Sequence, residues 1–139
     1  MAASQTSYFN SKAGAVTITG TTETVAGTSR QVNSSYFGCQ ILVRFSGEID
    51  LGADQNSAVV KIYRGATAAG TLLYTSGALS PGTIAAAPTV AAKFTFCADV
   101  VDQPAGDIAS QIYCVTVTQA GGTGNGQVIN IASQITVGE

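Results

Sequence analysis

The sequence predicts an all-β protein, one domain made of two packed antiparallel sheets. Three observations carry this expectation. Apolar and polar residues alternate with period two through most apolar segments, turn signals recur between those segments, and no segment sustains helical periodicity. A chain of 139 residues suits a single domain and can bury a core without a disulfide or metal staple. Several short strands with regular turns favour a two-sheet sandwich of the jelly-roll kind.

Residues 1–14, MAASQTSYFNSKAG, are rich in small and polar side chains, with Tyr8 and Phe9 as the only aromatics. They read as a flexible N-terminal arm, either one that orders on a partner or a frayed terminus, with the β-sandwich domain over 15–139. The segment has neither the basic start nor the apolar stretch of a signal peptide. AVTIT at 15–19 is a short strand, and Thr21 to Val32 is a polar connection or a weak strand. The next segment places Phe37, Cys39, Ile41, Val43 and Phe45 on one face, with Tyr36, Gln40, Arg44 and Ser46 on the other. The apolar face continues through Ile49 and Leu51, long enough to predict a bend or bulge near Gly47. A turn follows over Gly52 to Asn56.

In AVVKIYR, residues 58–64, Val60 and Ile62 oppose Val59, Lys61 and Tyr63. A loop from Gly65 to Gly70 leads into the strand TLLYTS, and Gly77 to Pro88 is a small-residue loop. Val90, Ala92, Phe94 and Phe96 then share a face opposed to Lys93, Thr95 and Cys97. DVVDQPAGD, with Pro104 and Gly106, reads as a loop. Beyond it Tyr113, Val115 and Val117 oppose Ile112, Cys114 and Thr116. The turn AGGTGNG contains Asn125-Gly126, a strong hairpin signal. In the last strand Ile129, Ile131, Ile135 and Val137 are expected on one face.

Composition narrows the function classes. The chain has no histidine, which rules out Ser-His-Asp and Cys-His catalysis within it and most zinc sites. Charged residues make up 10% of the chain, against roughly 25% in a typical domain. Either neutral polar groups solubilise it, or other subunits cover much of its surface. Lys12, Arg30, Arg44, Lys61, Arg64 and Lys93 are scattered singly and the net charge is -2, so nucleic acid is not an expected partner. The richest apolar run, IAAAPTVAA at 84–92, is too short to cross a membrane and is broken by Pro88. The sequon Asn33-Ser34-Ser35 would matter only on a secretory route, and the expected site of synthesis is a cytoplasm.

Three cysteines, Cys39, Cys97 and Cys114, cannot all pair within the chain, and no CxxC is present. Free thiols are expected. Cys97 and Cys114 flank the 99–109 segment and would face each other in a simple hairpin; strands sent to opposite sheets would separate them.

No residue pattern builds a reaction centre. Glu48 and Asp50 share a strand face, which a carboxylate-pair glycosidase would need, but the chain has no tryptophan for a sugar platform. Asp50, Gly52, Asp54 and Asn56 have part of the spacing of a calcium loop, yet Gly52 and Lys61 stand where its third and twelfth ligands belong. A strand-to-strand turn is the better reading. GGTGNG lacks the following Lys-Ser/Thr and precedes a strand, so it is not a phosphate loop. Tyr36, Tyr63, Tyr74 and Tyr113 alternate with strand apolars and are expected in the core or an interface. The expectation is a protein that is not an enzyme and carries no cofactor or metal.

Arg64-Gly65, then Gly70-Thr71-Leu72-Leu73, then Asp102-Gln103-Pro104-Ala105-Gly106, then Tyr113 to Val117 and a glycine-rich turn form a series. Over residues 37–137 this series resembles structural proteins of tailed bacteriophages. The resemblance implies a jelly-roll virion protein, often a homotrimer: a head decoration (cement) protein bound to the major capsid protein and neighbouring subunits on the outer capsid surface. The alternative it leaves open is a receptor- or glycan-binding module of a tail fibre, spike or knob. The chain has no long fibre-like extension, which favours decoration. In that role Tyr8 and Phe9 would be the capsid-contact residues of the arm.

Overall fold

The computed structural model describes residues 5–34, 40–81, 93–104 and 108–138. Ten strands are present among them: β1 (Gln5–Ile18), β2 (Thr24–Thr28), β3 (Val32–Ser34), β4 (Gln40–Asp50), β5 (Ser57–Arg64), β6 (Thr71–Thr75), β7 (Lys93–Asp102), β8 (Ile108–Gln111), β9 (Tyr113–Ala120) and β10 (Gly126–Gly138). One sheet has the order β1-β10-β4-β7, the other β2-β9-β5-β6, and β3 pairs with β8 as a small ribbon. All pairings are antiparallel. Of the connections within the two four-stranded sheets, only that between β5 and β6 stays in one sheet; each of the others passes to the opposite sheet. This is the strand order of a jelly roll, as the alternation predicted.

The core lies between the two four-stranded sheets. Ile41, Val43, Phe45 and Ile49 of β4 meet Ala58, Val60 and Ile62 of β5 and Tyr113, Val115 and Val117 of β9 within one buried cluster. Burying each large aliphatic side chain contributes about 1.5–3 kcal/mol, so the inward stripes set the register of every strand. The predicted inward faces of β4, β5 and β9 are the observed ones.

β10 departs from the prediction at one residue. Asn130 has φ 54°, a left-handed conformation that asparagine tolerates better than most side chains. The register of β10 against β4 shifts between Ile129 and Ala132. This bulge reverses the alternation: Val128 is buried before it, and Ile131, Ile135 and Val137 after it. Ile129, expected inside, is turned outward and half-buried. β1 carries its own register shift between Lys12 and Ala15, and the Gly14 N–H donates to Asn130 Oδ1 at 3.3 Å, so the two irregularities are bonded together. The bend expected near Gly47 therefore belongs to the neighbouring strand, while β4 stays in register with β7 from Ile41 to Asp50. Ile131 fills the space over Gly47, where a Cβ would come within 3.0 Å of its Cδ1.

The N-terminal segment is also corrected. Gln5 to Lys12, expected in a flexible arm over 1–14, pair with Gly138 to Ile131 of β10. A 13-residue β10 has β4 on one side, and its other row of main-chain groups needs a partner. β1 supplies it, and as an edge strand with one solvent-facing side it can do so with polar residues. Similarly, Asp99 to Asp102, read as loop, pair with Arg44 to Ile41. Thr24–Thr28 and Val32–Ser34 settle the ambiguity over 21–32 in favour of strands. The expectations for Tyr36, Phe37, Cys39, Pro88, Val90, Ala92 and Gly106 lie outside the described residues.

Candidate functional site

The described residues form three polar networks and leave one flank of the sandwich open. The first network joins the two sheets at one end. Arg64, the last residue of β5, donates Nε to Asp102 Oδ2 at 2.8 Å and Nη2 to Oδ1, and the Tyr113 hydroxyl donates to Oδ2 at 2.7 Å. Asp102 is buried, 3% exposed. Its burial acts to raise the carboxyl pKa, but the hydrogen bonds from Arg64 and Tyr113 outweigh this and hold it below the usual carboxylate range. The hydrogen bond to Asp102 in turn raises the Arg64 pKa. These groups satisfy one another inside the fold.

The second network lies on the outward face of the second sheet. Glu23 Oε1 accepts from the Tyr63 and Thr116 hydroxyls at 2.8 Å each and lies 3.8 Å from Lys61 Nζ. Burial opposes ionisation of Glu23, and the three donors still bring its pKa below the ordinary value. Desolvation, then the adjacent Glu23, push the Tyr63 hydroxyl up to about 12. Burial pushes the neighbouring Cys114 thiol up to about 11, which leaves it protonated and unreactive near neutral pH.

The third network binds the glycine-rich turn at the other end. Asp54 accepts the Thr123 N–H at 2.8 Å and the Gly124 N–H at 2.6 Å, and these bonds lower its pKa. Buried Gln55 accepts from the Gly122 N–H at 2.9 Å and donates to the Gly124 carbonyl at 3.0 Å. Buried Gln119 accepts from the Gly52 N–H at 2.8 Å and donates to the Gly20 carbonyl at 3.0 Å. A Cβ on Gly122 would come within 2.3 Å of the Asp54 carboxyl carbon. Gly122 and Gly124 are thus explained by close backbone approach to Asp54, and the turn predicted over Gly52 to Asn56 lies between β4 and β5 as expected. Among the described residues, no group of three or more Cys, Asp and Glu side chains could hold a metal ion.

Glu48 and Asp50 project outward from β4. Asp50 Oδ2 lies 3.8 Å from Lys93 Nζ, and Glu48 stands opposite Thr95 of β7. Cys97 is exposed and Cys114 buried, both free, on strands of different sheets. Tyr63 and Tyr113 are buried, and Tyr74 packs against the core.

The open flank is the side where β1 and β2, edge strands of the two sheets, face each other. The two predicted contact residues part here. Tyr8 turns inward against the core, with its hydroxyl 3.4 Å from the Asn33 carbonyl. Phe9 turns outward and is 60% exposed, a large apolar side chain facing solvent. Below Tyr8, Asn10 Nδ2 donates to the Thr28 carbonyl of β2 at 3.0 Å. A cleft of about 310 Å³ opens beside this bond. Period-two reading of the first 14 residues misses it, because their inward positions are Thr6, Tyr8, Asn10 and Lys12, mostly polar.

Among the described residues, the side chains of the three networks are engaged with one another, and the flank presents a cleft and an exposed aromatic. The chain is similar in fold to viral shell structures. Its match to the T13 viral particle of infectious bursal disease virus has a TM-score of 0.57 at 10% identity and covers 96% of this chain and 34% of that one. Its match to the D431N mutant VP2 protein of the same virus, in T=1 particles, has a TM-score of 0.55 at 12% identity and covers 96% and 35%. The VP2 subviral particle of that virus gives 0.54 at 9% identity over 97% and 37%. This chain therefore spans about a third of the length of those chains, as one jelly-roll unit. No protein-family model and no curated protein matches the chain.

Proposed function

We propose that this chain is a structural protein of a virus particle: a head decoration (cement) protein that binds the outer capsid surface as a homotrimer and stabilises the shell. The observation that carries the reading is the jelly-roll order of the eight sheet strands, shared over nearly the whole chain with domains found in viral shells. The low charge supports it, since surfaces covered by neighbouring subunits are depleted in charge. So does the character of the polar networks, whose side chains are engaged in holding the fold together. The tailed-bacteriophage setting rests on the sequence resemblance, as does the trimer. In this reading the partners are the major capsid protein and neighbouring virion subunits, the protein is made in the host cytoplasm, and no catalysis or cofactor is involved. Phe9, exposed on the edge strand, is the contact residue retained from the sequence expectation.

Mixing the protein with undecorated heads, imaging them and measuring co-sedimentation tests this. Saturable binding, weakened by Phe9→Ser, is expected. Sedimentation equilibrium should give three chains per particle, at concentrations typical of stable interfaces. A monomer that ignores heads would overturn the reading. Binding to host cells with none to heads would move the role to a tail fibre, spike or knob.

A further inference from the structure

The flank between β1 and β2 is amphipathic. The cleft is lined by Val16, Ala26, Gly27 and Ile131 on its apolar side and by Asn10, Lys12 and Thr28 on its polar side. Gly27 keeps it open at the core: a Cβ there would come within 2.4 Å of Ile131 Cγ2. Lys12 stands opposite the buried Ile131 in the β1–β10 register, so its side chain lies on the inward side of the edge strand. Four of the described cations, Arg44, Lys61, Arg64 and Lys93, have carboxylate partners within 4.0 Å; Lys12 has none among the described residues.

An inward lysine next to a bulge blunts an edge strand against indiscriminate pairing, because any strand laid over it would bury an ammonium group without compensation. A strand that brings its own carboxylate removes that obstacle and gains an ion pair with an ammonium that is exposed in the free chain. The apolar lining beside Lys12 asks for an aliphatic side chain on the same side of that strand. In extended backbone, residues two apart share a side.

We propose that the cleft between β1 and β2 seats an extended segment of a neighbouring virion polypeptide that presents an aliphatic side chain and, two residues on, a carboxylate. The inference rests on the shell-binding reading for the source of the segment. The site itself follows from the edge position of both strands, the open apolar lining and the Lys12 ammonium at its rim, which has no carboxylate partner among the described residues.

Two blocked peptides, acetyl-SVTDTS-amide and acetyl-SVTNTS-amide, serve as probes, titrated into the isotope-labelled full chain and read by NMR. The acidic peptide is expected to shift the signals of Val16, Ala26 and Ile131 and to bind about fivefold tighter than its amide counterpart. Lys12→Glu should abolish that preference and transfer it to acetyl-SVTKTS-amide. Shifts absent up to about 5 mM, or equal binding of the two peptides, overturn the proposal. Co-sedimentation with undecorated heads separates the two levels. Wild-type binding that Lys12→Glu leaves unchanged counts against this cleft alone. Wild-type protein that does not sediment with heads counts against the shell-binding reading, and the peptide titration then decides the cleft by itself.

Discussion

Tyr113 donates its hydroxyl hydrogen to Asp102 across 2.7 Å and so ties β9 of one sheet to β7 of the other. Arg64 closes the same carboxylate from β5. A carboxylate at 3% exposure is tolerated here because its oxygens meet donors from two strands of the opposite sheet.

Removing one partner should therefore cost more than a surface ion pair would. Arg64→Ala leaves Asp102 buried with reduced compensation and is expected to destabilise the fold by about 3–5 kcal/mol. Tyr113→Phe removes one hydrogen bond to a charged group, about 1.5–3 kcal/mol. Urea denaturation checks both. A Tyr113→Phe midpoint equal to that of the wild type would show that the clasp adds nothing to stability.

The clasp and the Glu23 network together give stability a pH dependence of definite sign. Asp102 and Glu23 both have lowered pKa values in the folded protein. Their contribution is complete above the unfolded carboxyl values of about 4 and is lost as pH falls through the lower folded values. Stability measured by denaturant should decline as pH drops below about 4. Asp102→Asn should flatten that decline, and adding Glu23→Gln should flatten it further. An unchanged slope in both variants would contradict the assignment.

Glycine substitutions separate close approach from mere loop position. Gly52→Ala would place a Cβ 2.4 Å from the Gly124 carbonyl oxygen, a backbone atom that cannot swing aside. A loss of about 1–3 kcal/mol is expected. Gly77 has nothing within 4 Å of its would-be Cβ, so Gly77→Ala should be neutral or stabilising by up to about 1 kcal/mol. Thermal melting of the pair tests the contrast.

Thiol labelling distinguishes the cysteines. Cys97 is exposed and should react with a maleimide in the folded protein, whereas buried Cys114 should react only after unfolding. Peptide mass mapping reads both sites in one experiment. Equal labelling of the two under native conditions would contradict the burial of β9.

Deleting residues 1–12 is expected to lower the melting temperature, because Gln5 to Lys12 pair with β10. The deletion exposes one side of that strand and uncovers Val137 and Ile135 at its end. A truncated protein that melts like the full chain would show that this half of β1 adds no stability.

The sequence by itself determined the fold class, because period-two stripes such as Ile41, Val43 and Phe45 can be buried together only in a strand facing a second layer. It also determined that Asp54 and its neighbours form a turn, since Asp, Asn and Gly between two stripes have a local conformational reason to be there. Tertiary structure decided the rest. Ile129 reads as inward with Ile131, Ile135 and Val137 until Asn130 takes a left-handed φ, reverses the faces and puts Val128 inside instead. Gln5 to Lys12 look like a solvated arm until β10 requires a second partner, a demand of the main chain that side chains do not record. Asp102 reads as a loop acid until Arg64 and Tyr113 arrive from the other sheet. The cleft beside Lys12 exists because the consecutive strands β1 and β2 become edges of opposite sheets and Ile131 of the distant β10 lines the space between them. Local alternation is written residue by residue, whereas pairing partners, bulges and cross-sheet contacts depend on which distant segments the folded chain brings together.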